Sequence, residues 1–284
     1  MSVKIIVDSA SDVTVAYAEQ NGLGFAPLKT ILAGKEYRDG VDIVPDKFYP
    51  MLEANKELAR TSQVNVSEFA ELFGAAVAAG DDVLLITISS GLSGTCQSAR
   101  LAAADYEGRV FVLDSLNATA GEQVLISHAM KLRDEGKSAA EIFAELQELR
   151  GKIRLFVRVD TLEYLKRGGR ISKATALIGG VLQIKPLLTL NKEGKLETVG
   201  KARGSKMSHK LMNESIAACG GIDPAYPVHI TYAGDVKDGA VDAYLKDSVE
   251  VFAGITPVVG QLGCVIGTHT GPGAIVISFV AKNA

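Results

Sequence analysis

The sequence predicts an α/β protein with two domains, an N-terminal parallel sheet flanked by helices and a C-terminal α+β domain. Three observations carry this. Short, wholly apolar runs such as Val3–Val7, Val83–Ile88 and Val110–Leu113 alternate with helix-period segments, the pattern of strands covered on both faces. After about residue 160 that alternation gives way to hairpin-like texture. The 284 residues exceed the usual size of one hydrophobic core, which places a boundary between domains of residues 1–159 and 160–284.

Val3–Val7 reads as a buried strand, and the polar turn Asp8–Asp12 leads into a short helix ending near Gly22. Gly24–Leu32 and the segment after Ala33-Gly34-Lys35 read as a strand pair. Asn65 with Glu68 three residues on is a capping box, and Phe69, Leu72, Phe73, Ala76 and Val77 share one helical face. The strand Val83–Ile88, the loop Ser89–Thr95 and a helix to about Asp105 follow. Val110–Leu113 ends at Asp114-Ser115, and a helix spans about Ala118 to Glu135. Ser138 and Glu141 form a second capping box. Ile153–Val159 is expected as the last strand of the first half. In parallel sheets ligands bind beyond the carboxyl ends of the strands, so the loops at Asp8-Ser9, Ser89–Thr95 and Asp114–Asn117 should share one rim.

In the second half, Tyr164–Ser172 is polar and basic, and Ala174–Leu182 is small and apolar. Ile184–Leu190 and Leu196–Val199 read as a hairpin. A helix near Ser205–Ala218, a strand at Val228–Tyr232, a helix near Gly239–Val249 and strands near Ile255–Val259 and Ala274–Val280 complete it.

A net charge of −3, no Trp and 6% aromatic residues argue against nucleic acid as the main partner. Three dispersed cysteines form no disulfide framework, which suits a reducing compartment. The first apolar run is too short for a signal peptide and no stretch reaches a membrane span, so a cytoplasmic location without stable membrane insertion is expected. No His, Cys, Asp or Glu spacing suggests a metal site, and no cofactor is expected.

Several loops could hold an anion. Ser90-Gly91-Leu92-Ser93-Gly94-Thr95 lacks the lysine of a Walker A loop, the G-x-S-x-G of a nucleophile elbow and the dinucleotide fingerprint. It retains hydroxyls and backbone N–H groups at a helix start, which suit a carboxylate or phosphate as well as they suit a plain capped turn. Thr61-Ser62-Gln63 offers two adjacent hydroxyls, or a polar loop bonded to itself. Arg167-Gly168-Gly169-Arg170 sets two guanidiniums about a flexible pair, for an anion or for structural ion pairs. Thr268 and His269 sit in a Gly-framed loop, where His269 could donate to an anion or accept a phosphoryl group.

Taken together, "IIVDSASDV", "TSQVNVSEF", "ISSGLSGTCQSA", "VLDSLNATAGEQ", "DTLEYLKRGGRISKATALIGGVLQIKPLLTL" and "GTHTGPGAIVISF" resemble one family in order, the DegV family of bacterial fatty-acid-binding proteins. The resemblance runs end to end. It implies a two-domain protein that is not itself an enzyme. Such a protein holds one long-chain fatty acid in an internal tunnel and presents its carboxylate to a separate fatty acid kinase, whose acyl-phosphate feeds phospholipid synthesis. It implies head-group contacts for Thr61, Ser62, Ser93, Gly94, Thr268 and His269. It assigns Arg167 and Arg170 to the head group, the kinase or the structure, and marks Arg203 as a kinase contact. The chain departs from the family pattern at Val64-Asn65, where Pro and then Ser or Thr are usual, and at Cys96, where an aromatic residue is common. The competing reading is an enzyme or phosphocarrier acting on a small phosphorylated substrate through His269.

Overall fold

The computed structural model describes residues 2–55, 59–171, 183–234 and 239–282. The chain opens with β1 (Val3–Asp8), a single 3-10 turn, α1 (Val15–Gln20) and β2 (Gly24–Ala26). β3 (Lys29–Leu32), β4 (Lys35–Arg38), α2 (Pro45–Ala54) and β5 (Arg60–Ser62) follow. Next come α3 (Val66–Ala78), β6 (Asp82–Thr87), α4 (Thr95–Ala103), β7 (Val110–Asp114), α5 (Ala120–Asp134) and α6 (Ala139–Arg150). The remainder holds β8 (Ile153–Arg158), α7 (Glu163–Arg167), the hairpin β9 (Ile184–Leu190) and β10 (Leu196–Arg203), and α8 (Gly204–Ala218). It ends with β11 (His229–Tyr232), α9 (Ala240–Asp247), β12 (Val258–Gln261), α10 (Cys264–Thr270) and β13 (Ile275–Val280).

Three sheets result. A four-stranded sheet in the order β2-β1-β6-β7 is wholly parallel. A six-stranded sheet runs β10-β9-β8-β13-β11-β12, and a small antiparallel sheet runs β4-β3-β5. The fold is therefore mixed α/β, with a helix-flanked parallel sheet and a separate multi-strand sheet. Both expected capping boxes are present, at Asn65 with Glu68 and at Ser138 with Glu141.

Two expectations are corrected. Strand 153–158 does not close the first half, because β8 lies antiparallel between β13 and β9 in the six-stranded sheet. Gly24–Leu32 is not one strand. β2 pairs with β1, and after Pro27 and Leu28 the chain turns into β3 of the small sheet. Proline has no N–H for a ladder, and the break falls there. Helix α2 had no counterpart in the sequence reading, and Ala174–Leu182 lies outside the described residues.

The alternation along the parallel strands feeds two cores. Ile5, Val7, Leu84 and Ile86 pack with α5 and α6. Ile6, Val83 and Leu85 face the other way, into a cluster that also takes Leu155 and Val157 of β8, Leu188 of β9 and Val276 of β13. The second sheet's opposite face packs Phe156, Ile230, Ile277 and Phe279 against α8 and α9. The site lies in the core shared between the sheets.

Candidate functional site

The rim forms as expected. The buried carboxyl of Asp8 at the end of β1 accepts N–H bonds from Ala10 and Ile88, at 3.0 and 2.8 Å. Burial pushes this acid up to about 7, against the pull of those two bonds. Ser90 N–H donates to Asp114 Oδ1 at 3.1 Å, and Ser89 N–H to the Asn117 carbonyl at 2.8 Å. The ends of β1, β6 and β7 are thus tied together. On its other side the loop meets the β9–β10 turn, where the Ser89 hydroxyl donates to the Gly194 carbonyl at 2.8 Å. Gly91 is required by this approach, since a Cβ there would lie 2.6 Å from the Glu193 carbonyl oxygen.

Beneath this loop lies a cavity of about 300 Å³. Its apolar walls include Leu28 and Ile88, just beyond the ends of β2 and β6, and Leu155, Val157, Leu190 and Val276 of the six-stranded sheet. Its polar lining gathers Thr61, Ser62, Gln63, Ser93, Gly94, Arg170 and His269. These come from β5, the loop before α4, the turn after α7, and α10. An apolar chamber with clustered donors suits an amphiphile with one anionic end.

His269 is not in a loop. It occupies the last turn of α10, whose Gly-, Thr- and Val-rich sequence is a poor helix former. The helix stands because distant carboxylates cap it. Asp12 accepts from Gly263 N–H at 2.9 Å, and Asp39 from the N–H groups of Cys264 and Val265 at 3.1 and 3.2 Å. These bonds satisfy N–H groups that a helix start leaves open.

Nε2 of His269 lies 2.8 Å from Thr61 Oγ1. Its Nδ1 is buried and has no hydrogen-bond partner among the described residues. It faces the Cα of Gly168, where an added Cβ would overlap it. A buried N–H at Nδ1 would be orphaned, whereas a lone pair against a C–H group costs less. The proton therefore belongs on Nε2, which donates to Thr61 and leaves the Thr61 hydroxyl hydrogen for the cavity. Burial, and then the charge of Arg170, holds the imidazole down at about 4, so it is neutral near pH 7.

Ser93 Oγ accepts from Thr95 N–H at 3.2 Å and shares a 2.9 Å bond with the Thr95 hydroxyl. Gly94 precedes α4 and gives room to Gln63, which a Cβ there would overlap. Gln63 spans this point to donate to Ser98 Oγ at 2.7 Å. The sequence reading quoted Gln63 but weighed only its hydroxyl neighbours. Arg170, half-buried, donates through Nε to the Leu92 carbonyl at 3.2 Å and through Nη1 to the Gly168 carbonyl at 2.6 Å.

A second, polar cavity of about 630 Å³ shares Thr61, Arg170 and His269 with the first. Arg167 lines this one and not the apolar one, and is ion-paired with Glu163. Thr268 also lines only the polar cavity, and its hydroxyl is committed to the Cys264 carbonyl at 2.8 Å. Arg203 belongs to neither. It is exposed at the far end of β10 from Leu196, a strand length of roughly 23 Å at about 3.3 Å per residue. Cys96 is buried and lines neither cavity. Among the described residues no group of three or more His, Cys, Asp or Glu is placed to hold a metal ion, and no helix is long and apolar enough to cross a membrane.

The three-sheet α/β fold thus encloses an apolar chamber ended by hydroxyls, an imidazole and a guanidinium. The chain belongs to the DegV family. The family model described as "Uncharacterised protein, DegV family" matches residues 2–282. A DegV domain-containing protein of Caldanaerobacter subterraneus is 35% identical over 99% of both chains. Among solved structures, a fatty-acid-binding DegV protein from Thermus thermophilus superposes with a TM-score of 0.88 at 37% identity, covering 99% of this chain and 100% of that one. A DegV protein from Eubacterium eligens loaded with heptadecanoic acid has a TM-score of 0.85 at 26% identity, covering 99% and 100%.

Proposed function

We propose that this protein binds one long-chain fatty acid, its chain in the aliphatic cavity and its carboxylate among Thr61, Ser62, Ser93, Gly94, Arg170 and His269, and presents that carboxylate to a separate fatty acid kinase. The observation that carries the reading is the Thr61–His269 pair at the polar end of an otherwise aliphatic chamber. Each buried methylene contributes about 0.8 kcal/mol, so an acyl chain supplies ample affinity if its charge is met by donors. The neutral imidazole, the hydroxyls and one half-buried guanidinium meet that charge.

The kinase step extends the family resemblance. A carboxylate oxygen attacks the γ-phosphorus of ATP, an O–P bond forms, the bond to the β-phosphate oxygen breaks, and ADP leaves. Hydroxyl donors keep the head group bound without a lysine clamp on its nucleophilic oxygen. Phosphocarrier chemistry on His269 is disfavoured, because Nε2 is bonded to Thr61 and Nδ1 is packed on Gly168. Protein purified from bacteria and then denatured should release a fatty acid seen by mass spectrometry. Delipidated protein that takes up no long-chain acid overturns the binding half. The kinase half fails if acyl-phosphate formation by a fatty acid kinase gains nothing from the loaded protein.

A further inference from the structure

Thr61, Ser62 and Gln63 form one run of the apolar chamber's polar lining, and two of their side chains reach different helices. Thr61, on β5, meets His269 of α10 at 2.8 Å. Gln63, the first residue beyond β5, donates through Nε2 to Ser98 Oγ of α4 at 2.7 Å. Helix α4 starts without a side-chain cap, because its N-cap is Gly94, and Ser93 Oγ takes the Thr95 N–H. Ser98 is buried one turn inside the helix, and its N–H donates to the Gly94 carbonyl at 3.0 Å. The Gln63 amide also rests on Gly94, where a Cβ would overlap Oε1. Gln63 therefore engages both ends of the first turn of α4, the residue that opens it and the residue that closes it.

We propose that Gln63 is a positioning residue for the head-group site, setting the separation between two groups of donors. One group is the Thr61–His269 pair on β5 and α10. The other is Ser93 with Gly94 at the start of α4. The inference rests on the fatty-acid reading above. A carboxylate takes hydrogen bonds from both groups at one spacing, since each bond weakens steeply away from its short optimal range. The two groups belong to different elements, β5 in the small sheet and the loop ahead of α4. Gln63 joins them, two residues from Thr61 in the chain and bonded across to α4. Donor sites keep their geometry when a supporting bond of this kind locks their elements together. In this role Gln63 acts through Thr61 and Ser93.

Laurate, myristate and palmitate share one head group and differ in chain, so titration calorimetry on delipidated protein separates the two ends of the ligand. Gln63→Met keeps the side chain's length and removes the donor. It should weaken all three acids by one common factor, about five- to tenfold, and leave the affinity gained per methylene unchanged. Ser98→Ala removes the acceptor, is a mild change inside a helix, and should weaken the acids by about three- to tenfold. The double variant should stay within about twofold of Gln63→Met, because the two single changes break one bond. Melting temperatures should fall by no more than the roughly 2–4 °C of one lost bond. A loss that varies with chain length places the fault in the chamber and overturns the positioning role, as does a larger fall in melting temperature. Full affinity in either single variant, or losses that add in the double variant, overturn it too. Wild-type protein that binds none of the three acids overturns the fatty-acid reading itself, and the positioning role with it.

Discussion

Thr61 and His269 are 208 residues apart in the chain, and their Oγ1 and Nε2 atoms are 2.8 Å apart. The bond joins β5 of the small sheet to the last turn of α10. It also sets the direction of a hydroxyl, since Nε2–H occupies one lone pair of Thr61 and frees its hydrogen for the cavity. Thr61→Val keeps the shape and removes the donor. It should weaken fatty-acid binding about tenfold, the effect of about 1.4 kcal/mol for a buried bond to a charged partner. Thr61→Ser should restore most of it. Titration calorimetry that finds Thr61→Val within twofold of wild type would remove Thr61 from the head-group site.

Gly168 is the floor beneath His269. Its backbone is ordinary, with φ of −71°, so alanine is conformationally acceptable there. The obstacle is steric, because the new Cβ would overlap Nδ1 and drive the ring away from Thr61. Gly168→Ala should therefore cost tenfold or more in binding, by about the same bond energy, with little change in melting temperature. Gly169 is the reverse case, with φ of +71° and open space around its Cα. Gly169→Ala should lower stability by about 1 kcal/mol and leave binding in place. The reverse pattern in a paired melt and binding measurement would contradict this placement of the imidazole.

What the chain disclosed of this arrangement follows the range of the forces involved. Asn65 and Ser138 were legible because a capping box is local, closed within three residues. The shared rim was legible because parallel strands put their ends together. The sheet membership of β8 was not, since Ile153–Arg158 is an apolar run that fits either sheet, and its partner β13 lies at the other end of the chain. Helix α10 was hidden for a related reason. Its caps are Asp12 and Asp39, more than two hundred residues away, and its own residues argue for a loop. The gathering of Thr61, Ser93 and His269 into one pocket was foreseen through family resemblance. Gln63 carried no local signal.

Gly194 couples the β9–β10 hairpin to the loop after β6. Its φ of +68° lies in the left-handed region, and a Cβ there would overlap Ser89 Oγ. Gly194→Ala should cost about 1–3 kcal/mol and push the hairpin outward. Leu190 and Leu196 flank this turn and line the apolar cavity, so acyl binding should fall as well. Ser89→Ala removes the hydroxyl without a clash and should cost about 1 kcal/mol. Chemical denaturation that ranks Ser89→Ala as the worse of the two would refute the close approach.

Glu122, in the first turn of α5, is fully buried, and neither carboxyl oxygen has a hydrogen-bond partner among the described residues. Burial first, and then the carboxyls of Asp8 and Asp12, raise its pKa well above the ordinary range. A group raised in the folded state stabilises below its unfolded pKa, and that contribution is lost as pH climbs toward the folded value. Asp8 adds a loss of the same sign between 3.8 and about 7. His229 and His269, both lowered to about 4 by burial, act oppositely: stability falls as pH drops from 6.5 toward 4 and the unfolded chain takes up protons. Above about pH 7.5 His229 and His269 are essentially neutral in both states, which leaves the acids. Between pH 7.5 and 8.5 the wild-type melting temperature should decline. Glu122→Gln, which cannot ionise, should decline less, ending higher by the roughly 2–4 °C that about 1 kcal/mol shifts a chain of this size. Parallel decline of the two proteins over that range would show that Glu122 does not carry the buried proton.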